Sequence, residues 1–244
     1  MTTLGNEAFA RSGITEIGLA FWPSEPIAEL GTSIFSVCLN LSSVVIPDWM
    51  AEIPAGLCDW TPELESLTLG EGVISIGVGA FTRCKFTNVS LPSTLVSIGN
   101  NAFQYSKLAA IELPESLKSV GAYAFSNTAL QSIDIIGGVT YGNNAFEFAK
   151  IVNVTWPEQP VAMGANLLKG NLIANFVAPV WMTEIPAGLL MENDWLTSVT
   201  FADATTRIGD DAFNGCRCLT LEPEGLPETI IEYGARAFRR GGSL

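Results

Sequence analysis

Short runs of alternating apolar and polar residues recur along the chain, as in Phe86-x-x-Val89-x-Leu91-Pro92, Leu108-x-x-Ile111-x-Leu113-Pro114 and Ile151-x-x-Val154-x-Trp156-Pro157. Alternation with period two over so few residues predicts a half-buried strand, closed by the proline. Upstream of most such runs stands Gly-x-x-Ala-Phe, whose last residue serves as an anchor for alignment. The anchors are Phe9, Phe35, Cys58, Phe81, Phe103, Phe125, Phe146, Leu168, Leu190, Phe213 and Phe238, spaced 21 to 26 residues apart. Eleven units therefore tile residues 1–244 with no linker between them, which reads as one domain. One strand per unit, stacked at about 4.8 Å, predicts a parallel sheet running the length of a repeat solenoid.

Each column of the alignment has a physical meaning. Four places before the anchor, nine units carry glycine, which suits either a positive φ or a close backbone approach. Pro54 and Pro186 replace it, so those two turns are expected to differ, with Gly56 and Gly188 absorbing the bend. The Ala-Phe pair reads as a buried small-large couple. Where Ala becomes Leu the Phe shrinks, as in Leu57-Cys58, Leu167-Leu168 and Leu189-Leu190, which conserves core volume. Ile34-Phe35 departs from that rule. Three places after the anchor the residue is small or hydrogen-bonding (Cys38, Thr61, Cys84, Ser106, Thr128, Asn171, Asn193, Cys216), as expected where an inward turn must satisfy backbone groups.

A longer echo overlies the short one. Trp49–Leu57 recurs as Trp181–Leu189 with eight of nine residues identical, 132 residues later, which points to duplication of a six-unit block.

The composite pattern, Leu-x-x-Ile-Gly-x-x-Ala-Phe-x-x-Cys followed by Leu-x-x-Ile-x-Leu-Pro, resembles the BspA-like leucine-rich repeat family over essentially the whole chain. The units anchored at Phe81, Phe103 and Phe125 match best, and those at Cys58, Leu168 and Leu190 least. The resemblance implies a curved solenoid with its parallel strands on the concave side. It implies a surface or secreted protein that adheres to host proteins, matrix or other microbes, and it lends no catalytic residues. Neither end shows a polar cap over the last apolar layer, so the chain is expected to be part of a longer solenoid.

Composition narrows the partner classes. The formal charge is −13 with no histidine, a balance that repels phosphate backbones and anionic lipid, so neither nucleic acid nor a membrane surface is expected as partner. Mean hydropathy is +0.33, yet no apolar run is long enough to span a bilayer. Without histidine, a Ser-His-Asp triad, a Cys-His pair and a His-based zinc site are excluded. The five cysteines (Cys38, Cys58, Cys84, Cys216, Cys218) form no C-x-x-C pair, and all are expected as free thiols. Asp210-Asp211 and Glu63/Glu65 are adjacent carboxylates, better explained by solubility than by acid-base work. No phosphate loop, dinucleotide fingerprint or calcium loop is present, and no cofactor is expected.

What remains is surface. The residues flanking the central strand position read Glu16, Ser66, Thr68, Asn88, Ser90, Glu112, Ser132, Asp134, Asn153, Thr155, Asn175, Ser198 and Thr200. Such a strip of Ser, Thr and Asn suits an extended macromolecular partner, either a host or matrix protein or a glycan. Trp22 and Trp49, each just beyond a strand, are candidate exposed aromatic anchors beside it. The expected function is a non-enzymatic adhesion or protein-binding module, extracellular or at a cell surface. Two alternatives stand beside it: a polysaccharide-active right-handed parallel β-helix, which needs three strand runs per coil, and a purely structural spacer.

Overall fold

The structure, a computed structural model, describes residues 3–220 and 226–239. It is a parallel solenoid whose successive coils are the sequence units, and every strand pairing in it is parallel. Each coil has three sides: two short strand positions and a face of turns.

The first strand position is the predicted one. Glu16–Ile17, Ser43–Val45 and Ser66–Thr68 form one ladder, Ser132–Asp134 pairs with Asn153–Thr155, and Asn175–Val177 pairs with Ser198–Thr200. This ladder is broken, contrary to the expectation of one sheet along the whole molecule. Between Thr68 and Ser132 two coils keep the exposed-buried alternation without regular strand, and Ala109 and Ala110, weak strand formers, sit in one of them.

The longest sheet lies elsewhere. The segment before each column glycine, read from sequence as a turn, is a two-residue strand. Glu52–Ile53, Ser75–Ile76, Ser97–Ile98, Ser119–Val120, Thr140–Tyr141 and Ala162–Met163 form a six-stranded ladder. Glu184–Ile185, Arg207–Ile208 and Glu232–Tyr233 form a three-stranded one, and Thr3–Leu4 pairs with Glu29–Leu30. Two residues are too few to show a period in sequence, but the inward one (Ile53, Ile76, Ile98, Val120, Tyr141) is at most 2% exposed.

Apart from Gly5, which has open space around it, the column glycines follow from close approach rather than from positive φ. None of them is in the left-handed region, and a Cβ on Gly121 would lie 2.4 Å from the backbone nitrogen of Asn100 in the preceding coil. The left-handed residues stand two places before the anchor in all eleven coils and two places after it in the ten described ones. Consecutive four-residue turns with a left-handed third residue need this geometry. Gly56 and Gly188, at φ +63° and +62°, occupy the same column as Asn101 and Tyr123, so the proline-bearing turns do not differ there from the rest.

The turn face is also hydrogen-bonded from coil to coil. At every one of ten steps the anchor's N–H donates to the carbonyl before the next anchor, from Phe9 to Ile34 through Phe213 to Ala237, at 2.8–3.1 Å. Inside, the anchors stack. Phe103 and Phe125 lie 5.3 Å apart and 7° from parallel, Phe125 and Phe146 5.3 Å and 3°. Both members of each anchor pair are buried in Leu57-Cys58, Leu167-Leu168 and Leu189-Leu190, as volume compensation requires, and also in Ile34-Phe35, whose extra bulk nothing in the structure explains.

The small polar column does what its chemistry suggests. The Cys38, Cys84 and Cys216 thiols point at the carbonyl of the preceding coil's anchor, at 3.1, 3.4 and 3.1 Å. Asn171 and Asn193 each donate to two anchor carbonyls, their own and the preceding coil's. Buried carbonyls are thereby satisfied without water.

Candidate binding surfaces

Alternation decides which side chains of the first ladder meet solvent. Ile17, Val44, Leu67, Ile133 and Phe176 point inward and are at most 8% exposed. Their neighbours Glu16, Ser66, Thr68, Ser132, Asp134, Asn153, Thr155, Asn175, Ser198 and Thr200 all lie on the outside and are exposed. Parallel register aligns them: Glu16 opposes Ser43, which opposes Ser66, while Ser132 opposes Asn153 and Asp134 opposes Thr155. Asn175 opposes Ser198, whose hydroxyl donates to Asn175 Oδ1 at 2.7 Å. Asn88, Ser90 and Glu112 are exposed too, on the coils where the ladder lapses. Ser66, Thr68, Asn88 and Ser90 meet around a shallow recess of about 420 Å³, flanked by Glu65 and Glu71. The strip offers mostly neutral donors and acceptors, chemistry suited to hydrogen bonding over a broad area.

The two tryptophans expected beside it are not free anchors. Trp22 is only 5% exposed, and its indole N–H donates to the Val45 carbonyl at 2.7 Å. Trp49 is half-buried and donates to the Pro23 carbonyl at 3.0 Å. The two rings meet edge to face at 6.1 Å, and Phe35 packs on Trp22. A tryptophan beside the longest coil closes apolar space and ties its N–H to a neighbouring coil's backbone, which is a bracing role. Trp181 repeats it six units on, donating to Pro157 at 2.8 Å. The duplicated segment also builds one recess twice, each about 470 Å³. Trp49, Met50, Glu52, Pro54 and Ala55 line the first, and Trp181, Met182, Glu184, Pro186 and Ala187 the second.

Exposed aromatics lie elsewhere: Trp195, five places after its anchor, is 64% exposed, and others stand on the turn face in the left-handed column two places after the anchor. Trp60 is 48% exposed and Tyr105 45%, with the Arg83 guanidinium between them. That column was available in the sequence alignment. Its signal was an arginine between two large aromatics on consecutive units, in a place that varies from Gly170 and Gly215 to Arg11, Val37 and Phe148 elsewhere.

Residues 1–77, 51–173 and 183–244 match the BspA type leucine rich repeat region, in six copies. The chain belongs to this family. Solved structures with a similar fold include three leucine-rich repeat proteins. One, a leucine rich cell surface protein from Faecalibacterium prausnitzii, is 18% identical with a TM-score of 0.49, the match covering 100% of this chain and 87% of that one. Another, from Bacteroides ovatus, is 17% identical with a TM-score of 0.45, covering 86% and 79% respectively. The third, from T. pallidum, is 19% identical with a TM-score of 0.45, covering 89% and 82%. No curated protein matches the chain in sequence.

In this BspA-type solenoid the cysteines are free thiols, four buried and Cys218 exposed. Burial pushes Cys84 and Cys216 up to about 12 and raises Cys58 well above the ordinary thiol value. Such protonated thiols are poor nucleophiles and poor metal ligands. Asp210 and Asp211 do not form a carboxylate pair, because their partners diverge. Asp210 accepts from the Ala235 N–H, while Asp211 pairs with Arg236, whose hydrogen bond holds its carboxyl below the usual range. Glu63 and Glu65 both clasp Lys85. Among the described residues no three His, Cys, Asp or Glu side chains gather as a metal site, and no helix is long and apolar enough to cross a membrane.

Proposed function

We propose that this BspA-type repeat chain is a non-enzymatic binding module, displayed at a cell surface or outside the cell, which holds an extended macromolecule along its Ser/Thr/Asn strip. The observation that supports this reading is the exposure of all thirteen predicted strip residues while the residues between them turn into the core. Family membership supports a binding role over a catalytic one, burial keeps the Cys58, Cys84 and Cys216 thiols protonated, and the adjacent carboxylates Glu63, Glu65 and Asp211 are tied to cations. A partner read by neutral hydrogen bonds spread over many coils, whether a host or matrix protein or a glycan, is bound with only modest salt dependence.

Two triple variants test this against a panel of matrix proteins and glycans. One carries Asn88→Arg, Glu112→Arg and Asp134→Arg on the strip. The other carries Glu52→Arg, Val96→Arg and Thr140→Arg on the face of the long ladder. With both variants folded by circular dichroism, the strip variant should lose binding and the other keep it. The reverse result would move the binding face. If wild type binds nothing in the panel, the spacer reading gains.

A further inference from the structure

We propose that Trp60, Arg83 and Tyr105 form a second binding site, a receptor for an Asp or Glu side chain presented by a protein segment. It lies on the turn face, so it is independent of the strip.

Three observations converge on it. All three residues are in the left-handed region, at φ 55°, 59° and 59°. Side chains with a Cβ are disfavoured there, and the equivalent places in other coils carry Gly170, Gly215 and Asn127 but also Arg11, Val37, Phe148 and Glu192. The turn imposes this backbone on every coil, and what sets this place apart is an arginine flanked by two large aromatics at equivalent positions of three consecutive coils.

The second observation is preorganisation. The Arg83 guanidinium carbon lies 4.8 Å from the Trp60 ring centre and 5.2 Å from that of Tyr105, on consecutive coils. Held between two rings, the planar cation has little freedom left to lose on binding.

The third is vacancy. Lys85, Lys169, Arg207, Arg217 and Arg236 each sit within ion-pair distance of a carboxylate; Arg83, like Arg11, Lys107, Lys118, Lys150 and Arg239, has no ion pair among the described residues, and of these it is the one held between two aromatic rings. Asp59, a half-buried neighbour whose carboxyl burial raises and Arg83 lowers, stays outside contact range. The same column shows the contrast at Phe148, where the stacked cation is Lys169, already engaged by Glu147 and Glu192.

The chemistry selects the occupant. A guanidinium fork takes a carboxylate through two parallel N–H donors, and its weak hydration makes that exchange with water favourable. Trp, Tyr and Arg are also the side chains that dominate protein interfaces. Arg83 covers the facing sides of both rings, so they do not form an open platform for stacking a sugar. The chain's charge of −13 repels a strongly acidic partner, which leaves a single carboxylate beside apolar side chains in a neutral or basic segment.

The test uses the full chain and an array of synthetic peptides. Each peptide carries one Asp or Glu next to Leu or Phe, printed beside its Asn or Gln counterpart. Oligogalacturonate serves as an acidic sugar. Carboxylate peptides should bind roughly tenfold or more above their amide counterparts. Arg83→Gln should erase that preference, and Arg83→Lys, which keeps charge but not the fork, should restore little of it. Trp60→Asn with Tyr105→Asn should lose binding while the protein melts at the same or a higher temperature, since asparagine tolerates the left-handed backbone. The strip variant should bind these peptides normally, which separates this site from the one proposed above. The proposal is overturned by an array with no carboxylate preference, by a preference that survives Arg83→Gln, or by oligogalacturonate as the ligand bound. A lower melting temperature in the double Asn variant would likewise make the aromatic pair a structural brace.

Discussion

The coils anchored by Phe81, Phe103, Phe125 and Phe146 and those anchored by Leu168 and Leu190 share one backbone and fill it differently. In the first group the rings stack and the column behind them holds small groups: Cys84, Ser106, Thr128 and Ala149. In the second, Leu167-Leu168 and Leu189-Leu190 replace Ala-Phe, and Asn171 and Asn193 reach across to carbonyls of two coils. The surface changes with the core. Over the phenylalanine coils the outer left-handed column carries Arg83, Tyr105, Asn127 and Phe148, and over the leucine coils it carries Gly170 and Glu192. Anchor N–H bonds cross every step alike. The repeat therefore fixes the path of the chain through its turns and inter-coil bonds, and leaves the side chains free to vary in compensating sets.

The largest effect should come from opening the ring stack. Phe103 is fully buried between Phe81 and Phe125, and Phe103→Ala should cost about 3–5 kcal/mol in chemical denaturation. A loss below about 1 kcal/mol would mean that the stack is not the core. Next is the polar column of the leucine coils. Asn171→Leu strips side-chain donors from the Phe146 and Leu168 carbonyls and should cost about 1–3 kcal/mol. Thr128→Ala, which removes one donor from the Phe125 carbonyl among the phenylalanine coils, should cost less, about 1 kcal/mol. Equal losses would erase the distinction between the two kinds of coil.

Compensation itself can be measured. Ala124→Leu alone should overpack the core, and adding Phe125→Leu should recover part of the loss, a coupling of about 1 kcal/mol in a double-mutant cycle. Strict additivity would show that Leu-Leu pairs are accidents of composition.

The smallest effect is chemical. At pH 8 an alkylating reagent should label Cys218 alone in the native protein and all five thiols once it is unfolded, counted by mass. Cys84, next to the phenylalanine coils, and Cys216, next to the leucine coils, should behave alike in alkali. Each keeps its proton to about 12 when folded against 9.0 for an ordinary thiol. A folded-state pKa raised in this way contributes stability that is whole below pH 9.0 and lost as the pH climbs toward about 12.

Much of this was legible in the residues. The period, the anchors, the hydrogen-bonding column and the outward strip repeat a chemistry in every coil, so alignment exposes them. Features without a repeated chemistry stayed hidden. The left-handed columns hold Ser33, Gly56, Asn101 and Tyr123 in one case and Trp60, Arg83 and Phe148 in the other, because the turn constrains φ while the side chain faces outward. The two-residue strands were too short to alternate. Trp22 and Trp49 looked exposed because they lie beyond a strand end, whereas the long coil folds back and covers them.

Both kinds of coil belong to one uninterrupted stack, and native-state hydrogen exchange at the anchor amides tests that most directly. The N–H groups of Phe103, Phe125, Leu168 and Leu190 all donate to the following coil, at 2.8, 2.8, 3.1 and 2.9 Å, and should exchange only through the same global unfolding. Leu168 and Leu190 exchanging through a separate opening of much lower free energy, while Phe103 and Phe125 stay protected, would contradict it.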